Sequence, residues 1–194
     1  MLELDAVTRR FGATVAVSDV SIKIRPGSFV GVIGRSGAGK STLLRMINRL
    51  VDPSAGRIVF DGVDVTQFKG AQLKAWRARA AMIFQQFNLS PRLNVLTNAL
   101  VGISGEVPQL RRLCRLYWHD EKMRAARMLD ELGMLDKALQ RAERLSGGEQ
   151  QRVAIARAML QRPKIILADE PVASLDPRNS ASVMDTLQRL NREH

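Results

Sequence analysis

The feature that most constrains this chain is the glycine-rich segment at residues 34–41, Gly-Arg-Ser-Gly-Ala-Gly-Lys-Ser. It fits the pattern Gly-x-x-x-x-Gly-Lys-Ser/Thr, whose backbone N–H groups surround phosphate oxygens. The apolar run before it, residues 29–33, is typical of a buried strand, and residues 42–50 after it have helical spacing. A strand, a phosphate loop and a helix in this order predict an α/β nucleotide-binding domain of the P-loop NTPase type.

Within this loop the side chains of Lys40 and Ser41 have predicted roles. The Lys40 ammonium would reach the terminal phosphates, and the Ser41 hydroxyl would face magnesium. The alternative is a glycine-rich turn that binds nothing, which the flanking strand and helix disfavour.

A pair of acidic residues follows a second apolar run. Residues 164–168 predict a buried strand, and Asp169 and Glu170 come directly after it. In P-loop NTPases an aspartate at such a strand end holds magnesium, and a neighbouring carboxylate polarises the attacking water. We therefore expect Asp169 at the metal and Glu170 as the base; an exposed acidic pair without catalytic duty is the alternative.

Residues 146–149, Ser-Gly-Gly-Glu, have the spacing of a capping box. Ser146 is predicted to cap a helix over residues 150–160, and Gly147 and Gly148 would leave its positive end open to an anion. A well-capped helix that binds no ligand is the alternative interpretation.

Composition limits the partners and the kinds of site that this chain can have. The chain has 194 residues, with 30 Lys and Arg against 19 Asp and Glu, a net charge of +11 that suits anionic partners without choosing among them. The single cysteine, Cys114, excludes an intrachain disulfide and a zinc site made of four cysteines. We also find no signal sequence and no run of about 18 apolar residues that would span a membrane.

Coarser patterns predict the other elements. Residues 20–24 alternate as a strand, residues 57–60 lead into the hairpin dipeptide Asp61-Gly62, and residues 67–160 are mostly helical in pattern. A last helix over residues 177–190 would be capped by Asp176.

In this order the motifs resemble those of the nucleotide-binding subunit of ABC transporters. The matching segments are residues 34–42 (Walker A), 84–85 (Q-loop), 145–150 (signature), 165–170 (Walker B) and 174–176 (D-loop). The resemblance implies a P-loop NTPase (RecA-like) α/β core with an N-terminal antiparallel β region and an inserted helical subdomain. It further implies one domain over residues 1–194, with the core at about 1–85 and 161–194 and the helical part at about 86–160.

The same resemblance implies an ATPase that uses ATP and Mg²⁺. Glu170 and Gln85 would be the catalytic residues, with Gln85 preferred over Gln86, and Ser41, Gln85 and Asp169 would lie at the metal. Phe11 matches an aromatic that stacks on adenine; a phenylalanine at the edge of the core is the alternative. The residues implied to bind ATP are Phe11, Gly34, Arg35, Ser36, Gly37, Ala38, Gly39, Lys40, Ser41, Thr42, Ser146, Gly147, Gly148 and Glu149.

One family feature has no match in this sequence. The family carries a switch histidine after a further strand, and neither His119 nor His194 occupies that position. We therefore expect a domain that is incomplete at its C-terminus and hydrolyses ATP weakly.

The resemblance also implies partners. These are a second copy of the chain in a head-to-tail ATP sandwich, transmembrane permease subunits, and, indirectly, a periplasmic or extracellular substrate-binding protein, with no nucleic acid. The resemblance further implies that the chain is a peripheral subunit at the cytoplasmic face of the inner membrane. Residues 82–98 and 168–177 are similar to the ATP-binding subunits of phosphonate importers. The alternative is an ATPase subunit of a soluble complex, such as a phosphonate-degrading assembly.

Overall fold

The computed structural model describes residues 1–173 and 175–193. Ser174 of the expected D-loop and His194 lie outside the described residues. The chain divides into two compact units, Met1–Ala80 with Gln188–His194, and Ala81–Leu187. The boundaries expected between core and helical subdomain, near residues 85 and 160, stay a prediction.

The first unit is built on an antiparallel sheet, which confirms the expected N-terminal β region. Its strands are β1 (Leu2–Phe11), β2 (Thr14–Ile24), β3 (Ala55–Phe60) and β4 (Val63–Asp64), in the order β2-β1-β3-β4. Leu2 of β1 pairs with Ile24 on one side and with Phe60 on the other. The strand predicted at residues 20–24 and the hairpin at Asp61-Gly62 are both present.

Two helices, α1 (Lys40–Ile47) and α2 (Gly70–Arg79), belong to the same unit. The buried Trp76 of α2 packs on Phe60, with 5.1 Å between ring centroids, and its Nε1 donates to the Ile47 carbonyl over 2.9 Å. Helix α1 ends earlier than the spacing of residues 42–50 indicated. Asn48 caps it, and Arg49 adopts a left-handed φ of 61° that a helix cannot continue.

The strand predicted at residues 29–33 is wrong. These residues form no strand, and the Ile33 side chain is 98% exposed. A strand needs a neighbour to satisfy its backbone N–H and C=O groups, and no described strand pairs with this segment. Its apolar composition therefore does not produce burial here.

The second unit contains a two-stranded sheet of β5 (Ala80–Ile83) and β6 (Ile165–Ala168). Strand β6 confirms the predicted strand before the acidic pair, although only Leu167 of its four residues is fully buried. Strand β5 lies inside the stretch whose pattern is mostly helical, because its Ala-Ala-Met-Ile run is too short to show a period.

The second unit also contains the helices α3 (Val95–Leu100), α4 (Gln109–Leu113), α5 (His119–Glu131) and α6 (Gly147–Met159). The last helix, α7 (Pro177–Glu193), begins in this unit, and its residues from Gln188 onward belong to the first. Helix α6 packs on α3 and α5 and buries Val153, Ile155 and Ala156. The predicted cap of α7 is present, since Asp176 Oδ1 accepts from the N–H groups of Arg178 and Asn179, both at 3.1 Å. In the part of the chain that the structure describes, no helix has the length and apolarity needed to cross a membrane.

Candidate nucleotide-binding site

The phosphate loop is shaped by glycines with left-handed backbones. Gly37 and Gly39 have φ values of 80° and 85°, which residues with a side chain rarely adopt. A Cβ on Gly39 would also lie 2.1 Å from the Ala16 carbonyl oxygen of β2. Glycine at position 39 therefore lets α1 begin directly against the sheet, while the loop before it stays exposed.

The Lys40 side chain folds over this loop. Its Nζ donates to the carbonyl oxygens of Gly34 and Arg35, at 2.9 and 3.0 Å. The ammonium is thus held at the loop by these two backbone carbonyls. Ser41 and Thr42 follow in the first turn of α1 and are half-buried.

Phe11 lies at the last position of β1, where it pairs with Thr14 across the hairpin. Its ring is 46% exposed, and the Arg9 guanidinium carbon lies 4.4 Å from the ring centroid. An exposed ring with one cation against it can take an adenine on a face. The same hairpin carries Ala16, the residue that Gly39 abuts.

The acidic pair and the predicted Q-loop glutamine lie in the second unit. Asp169 is 3% exposed, and its N–H donates to the Ile83 carbonyl over 2.9 Å. Glu170 is exposed and has a left-handed φ of 49°. Gln85 Nε2 donates to Glu170 Oε2 over 3.1 Å, so the two predicted catalytic residues contact each other directly.

The signature segment forms the capping box that its spacing predicted. The Glu149 N–H donates to Ser146 Oγ, and the Ser146 N–H donates to Glu149 Oε2. Helix α6 begins at Gly147, so Gly147 and Gly148 lie in its first turn and leave that end without side chains.

Lys137, from the 3₁₀ turn Leu135–Lys137, contacts Glu149 with its ammonium group. This pairing lowers the pKa of the Glu149 carboxyl, helped by the Ser146 backbone N–H and against the effect of burial. The hydrogen bond with Glu149 correspondingly raises the pKa of Lys137. An anion at this helix end would therefore meet a neutralised carboxylate, because Lys137 offsets its charge.

The start of α7 packs against the same helix end. A Cβ on Gly148 would lie 3.0 Å from Asn179 Oδ1, so a larger residue there would push on the amide. Asp176 Oδ2 in turn accepts from Asn179 Nδ2 over 2.5 Å. These contacts connect the end of the expected D-loop with the signature segment.

Arg157 of α6 holds the chain that follows Gln85. Its guanidinium donates to the carbonyls of Phe87 and Asn88, over 2.8 and 2.6 Å, and burial lowers its pKa. Sequence reasoning missed Arg157, Lys137 and Asn179. Only Asn179 carried a signal, since it lies three residues after the predicted cap Asp176.

The structure therefore places the predicted residues in two groups. Phe11 and residues 34–42 lie in the first unit, and Gln85, residues 146–149, Asp169 and Glu170 lie in the second. Within the second group Gln85 contacts Glu170, and Ser146 contacts Glu149.

A known protein family matches the part of the chain that contains most of these residues. The family model described as "ABC transporter" matches residues 17–173. This range includes all predicted site residues except Phe11.

Curated relatives match nearly the whole chain. The chain is 58% identical over 192 residues to "Phosphonates import ATP-binding protein PhnC 1" of Rhodopseudomonas palustris, covering 99% of the chain and 71% of that protein. It is 56% identical over 188 residues to "Phosphonates import ATP-binding protein PhnC" of Agrobacterium fabrum, covering 97% of the chain and 66% of that protein. The chain is thus shorter than these relatives.

Solved structures share the fold. The ATP-binding cassette MJ0796, in a dimeric post-hydrolysis state bound to ADP and Pi, matches with a TM-score of 0.84 and 34% identity, over 100% of this chain and 84% of that one. The cbiO1 protein of Clostridium perfringens, part of the ABC transporter complex cbiONQ, matches with a TM-score of 0.84 and 26% identity, over 99% and 74% of the two chains. The chain therefore belongs to the ABC transporter family and has the P-loop fold of its ATP-binding cassettes.

Proposed function

We propose that this chain is the ATP-binding and ATP-hydrolysing subunit of an importer that takes up phosphonates. The observation that carries the proposal is 58% identity over 99% of the chain to a phosphonate import ATP-binding protein. The soluble phosphonate-degrading assembly is not favoured, because the similar curated proteins are named as import proteins.

The phosphate loop supplies the binding of the triphosphate. Lys40 exchanges its two backbone carbonyl partners for phosphate oxygens, and the left-handed Gly37 and Gly39 let backbone N–H groups approach them. Phe11 offers its exposed ring to the adenine.

The oxygen ligands proposed for magnesium suit a hard cation. They are the Ser41 hydroxyl, the Gln85 amide oxygen and the buried Asp169 carboxylate. Magnesium, when bound, neutralises charge on the phosphate oxygens. Across residues 1–173 and 175–193 no three His, Cys, Asp or Glu side chains cluster to hold a metal. A site with one carboxylate fits magnesium, which usually keeps several waters and takes phosphate oxygens.

Glu170 is the proposed general base. One of its oxygens accepts from Gln85, and the other is the one that would accept a proton from water. Gln85 thus orients the carboxylate, so a displacement of Gln85 changes the position of the base.

Two copies of the chain are proposed to act head to tail. Ser146, Gly147 and Gly148 of one copy would contact the phosphates held by Lys40 of the other, since an open helix end attracts anions. The solved dimeric cassette MJ0796 supports this proposal. The region around Gln85 would contact the permease subunits at the inner face of the membrane and transmit the conformational change to them.

Growth on a phosphonate tests the proposal. A strain without the gene receives either the wild-type gene or Glu170→Gln, which removes the carboxylate but keeps the side chain's shape. Wild type should restore growth with a phosphonate as sole phosphorus source and Glu170→Gln should not, while both strains grow equally on phosphate. Equal growth of the two strains on the phosphonate would reject Glu170 as the base that energises uptake.

A further inference from the structure

A ten-residue stretch of the second unit combines exposed apolar side chains with arginines. It comprises α4 and the turn after it, residues 109–118, and is called here the basic apolar segment. Leu110, Leu113, Leu116 and Trp118 are 75%, 80%, 60% and 68% exposed. The segment contains three arginines and no acidic residue.

The segment is held in place by contacts with its neighbours. The Arg111 guanidinium carbon lies 4.2 Å from the Trp118 ring centroid. Glu121 Oε2 accepts from Arg111 Nη2 and from the Trp118 N–H, both at 2.7 Å. Arg112 Nη1 donates to the Ser104 carbonyl over 3.1 Å. The apolar side chains are therefore presented to solvent by an anchored stretch of chain.

The mixture of residue types indicates which surface covers this segment. Nucleic acid would engage the arginines, and the rings of Trp118 and the half-buried Tyr117 could stack on bases, but the leucines would be left in water. The interface of an anionic bilayer accepts both kinds of side chain. Leucine and tryptophan enter the boundary between headgroups and acyl chains, and arginine pairs with lipid phosphate.

We propose that the basic apolar segment binds the surface of an anionic membrane. Leu110, Leu113, Leu116 and Trp118 enter the headgroup layer, and Arg112 and Arg115 face the lipid phosphates. Arg115 suits this role because it is exposed and forms no ion pair among the described contacts. The net charge of +11 adds a long-range attraction to an anionic leaflet.

This inference extends the proposed function by naming a lipid contact of the same subunit, and it can be tested without the permease or the substrate. The purified chain is floated with vesicles of phosphatidylcholine and phosphatidylglycerol, or of phosphatidylcholine alone. Of the two tryptophans, Trp76 is 1% exposed and Trp118 is 68% exposed, so a blue shift on binding reports Trp118. We expect flotation and a blue shift with the anionic vesicles, and much weaker flotation with phosphatidylcholine alone.

Substitutions assign the effect to the segment. The double variant Leu110→Ser/Leu113→Ser should bind anionic vesicles at least about tenfold more weakly, because each leucine contributes buried CH₂ groups. Leu139→Ser is the matched control, since Leu139 is 81% exposed but lies outside the segment. Arg115→Glu tests charge alone and should weaken binding in the same direction. These positions are exposed, so the core is unaffected.

Several results would overturn the proposal. They are no flotation with anionic vesicles, flotation without a blue shift, and an equal loss with Leu139→Ser. Tight binding of single-stranded RNA that the double variant abolishes, with vesicle binding unchanged, would assign the segment to nucleic acid instead. If vesicle binding holds but the wild-type gene does not restore growth on the phosphonate, the phosphonate assignment is wrong and the membrane contact is still supported.

Discussion

Gln85 Nε2 donates a hydrogen bond of 3.1 Å to Oε2 of Glu170. The bond joins a residue just after β5 to the residue that follows Asp169 at the end of β6, although they are far apart in sequence. Glu170 also has a left-handed backbone, which a residue with a side chain adopts only when its surroundings hold it there. The proposed base is therefore positioned by both its backbone and an amide partner.

Replacement of Gln85 by alanine should separate catalysis from binding. ATP affinity should change by less than about twofold, while the rate of hydrolysis should fall at least about tenfold, because a mispositioned base transfers protons poorly. Isothermal titration gives the affinity, and phosphate release gives the rate. Gln86→Ala is the control, since Gln86 is exposed and has no side-chain hydrogen bond among those described. An equal loss of rate in both variants would contradict the role given to Gln85.

Lys40→Ala should weaken ATP binding at least about tenfold, because the ammonium offsets charge on the terminal phosphates. Calorimetry with magnesium present measures the two dissociation constants. Lys69→Ala, at an exposed lysine outside the loop, should leave the affinity unchanged. Equal ATP affinity of wild type and Lys40→Ala would contradict the assignment of residues 34–41 as the phosphate loop.

A pair of glycine substitutions separates backbone strain from steric contact. Gly37→Ala and Gly39→Ala introduce similar strain, since φ is 80° and 85°, but only a Cβ at Gly39 meets Ala16, at 2.1 Å. We expect Gly37→Ala to lower the free energy of unfolding by about 1 kcal/mol and Gly39→Ala to lower it by at least about 2 kcal/mol more. Urea unfolding checks this order. Similar losses would show that α1 does not depend on its close approach to β2.

Local features of the fold could be predicted from sequence. Ser146 and Asp176 were identified as caps because each bond joins a side chain to a backbone N–H two or three residues away, a spacing that is visible in the sequence. The phosphate loop was identified for the same reason, since its whole motif lies within residues 34–41.

Features that depend on distant partners could not be predicted. Residues 29–33 have a strand-like composition, but a strand forms only beside another strand. The hydrophobic pattern of a segment does not show which other segment will pair with it. Lys137 reaches Glu149 from 12 residues away, and Arg157 reaches Phe87 from 70 residues away. Both pairings arise from the packing of helices and turns in the second unit.

The contact of Lys137 with Glu149 makes stability depend on pH. The pKa of Glu149 is lowered in the fold, so its stabilising effect is complete above the unfolded value of about 4.3 and is lost as the pH falls through the folded value. The pKa of Lys137 is raised, so its effect is complete below about 10.4 and is lost at higher pH.

Lys137→Met should therefore be less stable than wild type at neutral pH, and the difference should shrink in acid below about pH 4.3. Urea unfolding of both proteins at several pH values gives the difference in free energy. Lys122→Met, at an exposed lysine of α5, should show no such dependence. A difference that stays constant into acid would contradict the pairing.

Uptake of a labelled phosphonate tests the central claim most directly. The measurement uses intact cells that lack this gene, redundant importers and the enzymes that cleave carbon–phosphorus bonds, so label inside the cell reports import alone. We predict that the wild-type gene restores the initial rate of uptake and that Lys40→Ala and Glu170→Gln do not. Undiminished uptake in cells without a functional copy, with a defect only in carbon–phosphorus cleavage once those enzymes are restored, would contradict the account and favour a role in phosphonate degradation.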